Sequence, residues 1–460
     1  METQQASDST FEFIPSKKIE SFGATVWHEF SPLALKYDAV NLGQGFPNFS
    51  PDPELAEAAG EAVTRGLKEG VTVEHVSKET GRGDLLNHYA RPGGHMRLVN
   101  ALSETYSPLF GRRIDPLTEI QVTVGASEAL FTAIQAFMGP GDEAVLIEPF
   151  FDIYIGSIHL AGGTPRYVSL KLARGKEHEP FTSSSQWVIH TDELEAVMNE
   201  KTRVVVINSP HNPSGKVFTE QELQGIANVI SKYKNCIVIS DEVYEWMTYD
   251  DVKFTRFATL PGMWQRTITI GSAAKTFSIT GWKIGWIMGP SDLVQACARA
   301  HQYISFAVAT PFQEAVAVGF ETAAKKNYFE WLAKTYQKKR DFLVSVLREV
   351  GLTPVVPQGA FFVLADISKI KLKGDEGKDK SITKMNMHLK DWNVCRWLTT
   401  EIGVAAIPCS AFYCDEHSEG ASNLIRFCFC KTDDVLEQAA QHFRKLNTIF
   451  SSYEEEQQQQ

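Results

Sequence analysis

Short apolar runs recur along the middle of the chain, and four of them have the length of buried strands. They cover residues 120–124, 204–207, 236–240 and 267–270. Apolar runs of this length, bounded by turn residues, are typical of strands in a parallel sheet covered on both faces. Because helical patterns alternate with strand patterns from about residue 95 to 310, the sequence predicts a doubly wound, mostly parallel α/β sheet.

Helical patterns supply the rest of the predicted organisation. Residues 219–222 read Thr-Glu-Gln-Glu, which is a capping box and predicts the start of a helix. A long helical stretch from about Pro311 to Val350 is predicted to lead out of the large domain. Beyond it, residues 358–363 and the strand that carries Arg426 predict a smaller α+β domain.

These patterns divide the chain into four predicted parts. They are an N-terminal arm (1–50) that packs with the small domain, a large domain (51–325), a small C-terminal domain (326–446) and a disordered tail (447–460). Within them, charged segments at 65–84 and 369–384 predict a surface excursion and a solvated loop.

Lys275 stands just after the run 267–270, in a loop of small residues, with Lys283 eight positions further on. An amine attacks a carbonyl only when it is neutral, so a lysine with that role needs burial or a nearby cation. Lys283 could supply the cation and also neutralise a phosphate. Most pairs of lysines on a loop are simply solvated, so this pair alone does not define a site.

The other predicted strands also end in polar or small residues. Asp241 and Tyr244 follow the run 236–240, and Asn212 lies between prolines in the loop after 204–207. Ligands of open α/β sheets bind beyond the carboxyl ends of the strands, so these side chains stand where chemistry is expected. Each could be a cap or a plain turn taken singly, but four strand ends with such residues favour a binding site.

A phosphate site is predicted where the run 120–124 meets a helix. Gly125, Ala126 and Ser127 open that helical segment. Small residues at a strand-to-helix junction leave backbone N–H groups free for an anion at the helix N-terminus.

With these motifs in place, the sequence resembles the fold-type-I aminotransferases that use pyridoxal 5'-phosphate (PLP). Within them it resembles the kynurenine aminotransferase / glutamine transaminase K / cysteine-S-conjugate β-lyase group. The resemblance extends over roughly residues 15 to 446. The motifs that carry it are 41–47, 147–152, 210–216, 240–244, 272–277 and 425–428.

The resemblance implies PLP as cofactor and a role for each matching residue. Lys275 matches the lysine that holds PLP covalently and moves the substrate proton. Asp241 matches the carboxylate under the pyridine nitrogen, and Phe151 the aromatic that stacks on the ring. The donors to the ring 3-oxygen are matched by Asn212 and Tyr244. The residues around the phosphate are matched by Gly125, Ala126, Ser127, Ser272 and Lys283.

Substrate and dimer contacts are implied in the same way. Arg426 matches the arginine that grips the substrate α-carboxylate through two parallel hydrogen bonds. Gly45, Trp27 and Asn212 match residues near the substrate. Tyr89 resembles a tyrosine that reaches the phosphate across a dimer interface, so a homodimer is expected.

Two positions depart from the family pattern. Relatives commonly carry an aromatic residue at Ser127, and some have Phe-His where this chain has Phe306 and Ala307. Both changes remove bulk or a hydrogen-bond partner from the region that selects the substrate side chain. They leave the cofactor chemistry intact and put the substrate preference in doubt.

The implied activity is a two-stage transamination between amino acids and 2-oxo acids. Kynurenine, which closes to kynurenic acid, is the expected donor and 2-oxoglutarate the expected acceptor, with glutamine or aromatic amino acids also accepted. A substrate with a leaving group on its β-carbon would undergo β-elimination. The alternatives are a PLP-dependent lyase, an aminotransferase for another amino acid, and a catalytically silent regulator, which would need an added DNA-binding domain.

Composition narrows the partners and the compartment. The 460 residues are enough for two lobes, and 43% hydrophobic with 22% charged residues is ordinary for a globular enzyme. A net charge of −11 disfavours nucleic acids and anionic membranes as partners. No apolar run has the length of a membrane span. The acidic start without arginine favours the cytoplasm, with mitochondria also possible.

The seven cysteines are scattered and lack metal-ligand spacing. We therefore expect reduced, mostly buried thiols and no metal site. Cys428 and Cys430 alternate like strand residues, which does not favour a redox pair.

Overall fold

The computed structural model describes residues 15–20, 22–23, 25–68, 86–372 and 388–449. Most of the 65–84 segment, the greater part of the 369–384 segment and the tail from residue 450 lie outside these ranges. The predictions made for those three segments therefore stay predictions.

Strands and helices alternate through most of the described chain. The strands are Val40–Asn41 (β1), Ile120–Val124 (β2), Glu143–Glu148 (β3), Thr164–Ser169 (β4), Lys171–Leu172 (β5), Trp187–Val188 (β6), Thr202–Asn208 (β7), Ile237–Asp241 (β8), Thr267–Ser272 (β9), Ile284–Met288 (β10), Thr353–Val355 (β11), Phe362–Asp366 (β12), Val404–Ala405 (β13), Ile407–Pro408 (β14) and Leu424–Cys428 (β15). The α-helices are Val26–Lys36 (α1), Pro53–Lys68 (α2), Met96–Tyr106 (α3), Gly125–Phe137 (α4), Ile153–Ala161 (α5), Thr191–Val197 (α6), Glu220–Ile230 (α7), Ala273–Thr276 (α8), Ser291–Ile304 (α9), Thr310–Ala323 (α10), Tyr328–Glu349 (α11), Lys390–Trp397 (α12) and Asp433–Phe443 (α13).

A seven-stranded sheet forms the centre of the large domain, in the order β2-β10-β9-β8-β7-β3-β4. The strands from β9 to β4 pair in parallel, and only β10 runs antiparallel to its two neighbours. The predicted mostly parallel sheet is confirmed, and each of the four predicted runs lies in one of its strands, with only Cys236 falling just before β8.

Both faces of this sheet are covered, which explains the continuous apolar runs. In β7, Val204 and Val206 belong to one core cluster, whereas Val205 and Ile207 belong to another. Successive side chains of a strand point to opposite faces, so a strand between two layers of helices must be apolar at every position.

The capping box at the start of α7 is confirmed. The Glu222 N–H donates to the Thr219 hydroxyl at 3.2 Å, and the Glu222 carboxylate accepts from the Thr219 N–H at 2.8 Å. Each side chain thereby satisfies one backbone donor that the first helical turn leaves unpaired.

The helical stretch predicted from about Pro311 to Val350 is present but is interrupted by a turn. The chain forms α10 and α11 with a turn between them, in which Asn327 has a positive φ of 51°. Asparagine tolerates this left-handed conformation better than most residues. Lys326, in the same turn, pairs with Asp52 at 3.3 Å and Glu54 at 2.9 Å, so contacts with the start of α2 favour the break.

The C-terminal part of the chain carries an antiparallel sheet in the order β11-β12-β15-β14. The N-terminal segment contacts this part, because β1 pairs in parallel with β13 and Phe30 packs against Trp392. The domain limits at residues 50, 325 and 446 stay a prediction. No helix in the described part of the chain is both long and apolar enough to cross a membrane.

Candidate active site

The ends of three neighbouring strands bring the predicted catalytic residues to one edge of the sheet. In β7, β8 and β9, which lie side by side, Asn208 pairs with Asp241, and Asp241 with Ile270. The loop after β7 carries Asn212, and the short helix after β9 carries Lys275. Parallel strands place their carboxyl ends at the same edge, so this arrangement follows from the topology.

Asp241 is buried and receives two hydrogen bonds. The Tyr154 hydroxyl donates to its carboxylate at 2.6 Å, and the Val243 N–H donates at 3.4 Å. Burial raises the pKa of Asp241 to about 6, because the charged form loses its hydration. A cationic or N–H donor bound beside this carboxylate would favour its ionised form. Tyr154 was missed by sequence reasoning, although it opens α5 directly after the 147–152 motif.

Lys275 is half-buried and lies among aromatic rings. Its Nζ donates to the Gly45 carbonyl at 3.3 Å and stands 5.7 Å from the Tyr244 ring centroid and 5.2 Å from that of Phe361. Burial lowers the pKa of this amine below its ordinary value. The shift favours the neutral form that attacks a carbonyl.

The junction of β2 and α4 is closely packed around two glycines and Lys283. Gly125 has a φ of +72°, and a Cβ there would lie 3.3 Å from the Lys283 Nζ. Behind it, a Cβ on Gly285 would come within 2.5 Å of the Gly125 carbonyl carbon. The chain thus holds a lysine amine beside the N-terminus of a 13-residue helix, where backbone N–H groups attract anions. Ala126 and Ser127 follow in the first turn, and buried Ser272 ends β9.

Arg426 lies in β15 and is 1% exposed. Its guanidinium donates to the Asn212 side-chain oxygen at 2.9 Å and to the Gly43 carbonyl at 2.7 Å. Its Nε is buried and has no hydrogen-bond partner among the described residues. Leaving such a donor unpaired costs about 1–3 kcal/mol, so this atom indicates where an acceptor from a ligand would bind.

Aromatic rings surround the arginine. The centroids of Phe362 and Phe412 lie 4.3 and 4.8 Å from its guanidinium carbon, and that of Trp27 lies at 5.6 Å. The Trp27 indole N–H donates to Asp152 at 3.1 Å. Rings stack well on a planar guanidinium and keep water away from it, which strengthens its attraction for a carboxylate.

Gly45 and Phe151 complete the candidate site. A Cβ on Gly45 would lie 2.6 Å from the Phe362 ring, so only glycine fits there without a shift. Phe151 is half-buried, and its ring packs edge-on against Tyr154 at 6.0 Å between centroids. Tyr154 in turn contacts Asp241, which places Phe151 on the side of the site where Asp241 lies.

Tyr89 is not brought to the other predicted residues within this chain. It is 77% exposed and packs edge-on against Phe306, which is itself 45% exposed. Its predicted contact across a dimer interface stays a prediction.

One group of potential metal ligands exists within the described residues, namely Glu148, Cys414 and His417. The Glu148 carboxylate accepts from the Cys414 N–H at 2.7 Å, from the Ser169 hydroxyl at 2.8 Å and from His417 at 2.6 Å. These hydrogen bonds account for the cluster without an ion. All seven cysteines are free, and six of them are buried, as expected.

This arrangement combines an amine, a buried carboxylate, a helix N-terminus beside a lysine, and a buried arginine whose Nε has no partner among the described residues. It suits an enzyme that changes the amino or carbonyl group of a carboxylate-bearing substrate. Comparison with known proteins makes the class definite. The family described as "Aminotransferase class I and II" matches residues 37–443. The chain belongs to this family, and it is an aminotransferase.

Three relatives illustrate how far the similarity extends. A kynurenine–oxoglutarate transaminase of Dictyostelium discoideum is 53% identical over 95% of this chain and 97% of its own length. Kynurenine–oxoglutarate transaminase 3 of Homo sapiens is 41% identical over 94% of this chain and 90% of its own. The crystal structure of Bna3p from Saccharomyces cerevisiae superposes with a TM-score of 0.85 at 35% identity, covering 95% of this chain and 99% of Bna3p.

Proposed function

We propose that this aminotransferase uses PLP and transfers the amino group of kynurenine to 2-oxoglutarate or a similar 2-oxo acid, with kynurenic acid as the product. Support for the reaction comes from the buried Arg426, whose unpartnered Nε and aromatic surroundings suit the α-carboxylate that donor and acceptor share. Support for kynurenine comes from the names of the relatives from Dictyostelium discoideum and Homo sapiens.

The residues present fit PLP. Gly125, Ala126, Ser127, Ser272 and Lys283 would hold its phosphate, with Tyr89 of a second copy added in a homodimer. Phe151 would cover its ring, and Asn212 and Tyr244 would donate to its 3-oxygen. When bound, PLP supplies an electron sink for the substrate α-carbon.

In this proposal the protein positions the substrate and moves protons. Arg426 fixes the α-carboxylate, which together with Gly45 and Trp27 orients the α C–H bond toward Lys275. The Lys275 amine, whose pKa burial lowers, would take the α-proton and return it. Asp241 in its ionised form holds a proton on the ring nitrogen and so stabilises the negative charge that develops.

The same machinery accepts related substrates. Glutamine and aromatic amino acids present the same α-amino and α-carboxylate groups, and we expect them as slower donors. Cysteine S-conjugates carry a leaving group on the β-carbon, so β-elimination follows from the same proton removal and needs no additional residue. The proposed assembly is a homodimer, and the proposed compartment is the cytoplasm, with a mitochondrial pool as the alternative.

Single-turnover spectroscopy of the purified PLP enzyme tests the proposal. Kynurenine, glutamine and phenylalanine are each added without an oxo acid, and conversion of the bound cofactor is followed by absorbance. We expect conversion with all three and the fastest rate with kynurenine. Conversion with the other two alone would assign a different donor. No conversion with any of them would exclude transamination of these substrates and favour a lyase.

A further inference from the structure

Lys431 is a buried lysine that has no acidic partner among the described residues. It is 3% exposed and lies three residues after β15. No described carboxylate lies within 4.0 Å of its Nζ. The ammonium instead donates to the Gln44 carbonyl at 3.1 Å and to the Phe46 carbonyl at 2.9 Å, and it stands 4.0 Å from the Phe46 ring centroid. Two carbonyls and one ring face thus take the place of water around this cation.

Both carbonyls belong to a short segment, residues 43–46, which we call the 43–46 loop. Its other two carbonyls face the active site, because Gly43 accepts from Arg426 at 2.7 Å and Gly45 accepts from Lys275 at 3.3 Å. Successive carbonyls therefore alternate between the two cations of the active site and Lys431. The loop lies between them and contacts all three.

Neutral contacts also hold this loop, since the Gln44 side chain donates to the Ser31 hydroxyl at 2.6 Å and accepts from the Asn41 side chain at 3.0 Å. The Cys428 thiol donates to the Gln44 carbonyl at 3.0 Å, and the Cys428 N–H donates to Leu42 at 2.7 Å. Asn41 accepts from the Gly43 N–H at 3.1 Å and the Gln44 N–H at 3.0 Å. On the far side of the loop, Lys431 is the contact that carries a full charge. Charge-assisted hydrogen bonds are roughly twice as strong as neutral ones.

From this geometry we propose that Lys431 is a positioning residue for substrate binding: it fixes the 43–46 loop so that Arg426 is aimed at the α-carboxylate. One terminal nitrogen of the guanidinium donates to Gly43 and the other to Asn212. If the loop moved, the hydrogen bond to Gly43 would be lost and the Arg426 side chain could change its orientation. The inference rests on the proposed α-carboxylate role of Arg426, but it does not depend on which amino acid is the donor.

Replacement of Lys431 by Met tests this role, since Met keeps the volume and removes the three donors. The probe is glutarate, which has the shape of 2-oxoglutarate but lacks the reactive oxo group, and its Kd is measured by calorimetry on the PLP enzyme. We expect K431M to bind glutarate about tenfold more weakly, because the loosened loop no longer holds Arg426 in position. KM for 2-oxoglutarate should rise by a similar factor, with kcat changing less than threefold.

Lys339→Met is the matched control. Lys339 is also a buried lysine, 9% exposed, but it pairs with Asp433 and has no contact with the 43–46 loop. K339M should lose stability without a change in the Kd for glutarate. K431Q, which keeps an N–H donor without the charge, should lie between the wild type and K431M, and it also serves if K431M does not fold.

Hydrogen–deuterium exchange gives a readout that needs no substrate. The peptide that contains residues 42–46 should exchange faster in K431M than in the wild type or in K339M. If K431M and K431Q bind glutarate as tightly as the wild type, the proposal is wrong. The role of Lys431 is tested separately from the proposed donor. If K431M binds glutarate more weakly than the wild type but kynurenine is not a donor, only the proposed donor is wrong.

Discussion

Two basic side chains, the half-buried Lys275 and the buried Arg426, contact the same four-residue loop but differ in how burial changes their chemistry. Burial lowers the pKa of both side chains. For a lysine, whose ordinary pKa is near 10.4, a lower pKa increases the fraction of neutral amine. A guanidinium starts so far above neutral pH that it stays charged. The same environment thus favours a base at one position and a permanent carboxylate receptor at the other.

The two positions also differ in construction. The half around Lys275 is built from the ends of neighbouring parallel strands and from Gly125 at the start of α4. The half around Arg426 joins β15 to the 43–46 loop, with partners more than 380 residues apart in sequence. The strand ends of the first half follow from local patterns, whereas the contacts of the second half, like that of Lys275 with Gly45, depend on tertiary packing.

Exchange of the two cation types gives the largest expected effect. Lys275→Arg keeps a positive charge but removes the amine that can become neutral. We expect transamination to fall by about 10⁴-fold or more, the upper range for an acid–base group. Visible absorbance of the PLP enzyme and single-turnover rates measure it, with Lys275→Ala as the comparison. Equal activity of Lys275→Arg and the wild type would mean that charge alone is needed there.

Asp241, beside Lys275, should make stability depend on pH and on the cofactor. A folded pKa of about 6, against an ordinary 3.8, means that the folded protein without PLP binds a proton that the unfolded chain releases. This group therefore costs stability increasingly as pH rises from about 4 through 6, up to about 3 kcal/mol. We compare the free energy of unfolding of Asp241→Asn with that of the wild type, both without PLP. The difference in favour of the variant should increase by roughly 1.5 kcal/mol from pH 5 to pH 8.

Asp391 provides the matched control, because burial also raises its pKa to about 6 and it has no contact with the site residues. Denaturant unfolding with and without PLP separates the two carboxyls. Addition of PLP should cancel or reverse the pH-dependent gain of Asp241→Asn, since a ring nitrogen can stabilise the ionised carboxylate. The gain of Asp391→Asn should be the same in both conditions. If PLP changed the pH dependence of both variants equally, or of neither, Asp241 would not interact with the cofactor.

The contrast between the two halves explains what could be predicted from the sequence. Asp241, Asn212 and Lys275 each follow a legible strand, so their meeting at one sheet edge follows from parallel topology. Tyr154 and Lys431 carry no local signal of their roles, because their partners come from remote segments. The turn at Asn327 was missed for a similar reason, since the adjacent Lys326 contacts α2. Local periodicity does not encode such contacts.

The carboxylate receptor can be tested by the reverse exchange. Arg426→Lys keeps the charge but loses the planar guanidinium, so one of the two parallel hydrogen bonds proposed to hold the substrate α-carboxylate would be lost. We expect kcat/KM to fall by about 100-fold for every amino donor and oxo acid alike, since all share the α-carboxylate. Steady-state kinetics with kynurenine, glutamine and phenylalanine measure this. A loss confined to one donor would show that Arg426 selects the side chain instead.

The 43–46 loop contacts both Lys275 and Arg426, so a substitution within it should affect both halves. Gly45→Ala places a Cβ where 2.6 Å separates it from the Phe362 ring, so the loop or the ring must shift. Overpacking of this kind costs typically 1–3 kcal/mol, and we expect a melting temperature lower by a few degrees together with a weaker Kd for glutarate. Gly60→Ala is the control, because a Cβ there meets no atom within 4 Å and alanine favours its helix.

Because Gly45 contacts Lys275 through its carbonyl and Phe362 packs on Arg426, a shift should disturb both cations at once. If Gly45→Ala weakened glutarate binding but left the absorbance of the bound PLP unchanged, the two halves would be independent, and the 43–46 loop would serve Arg426 alone.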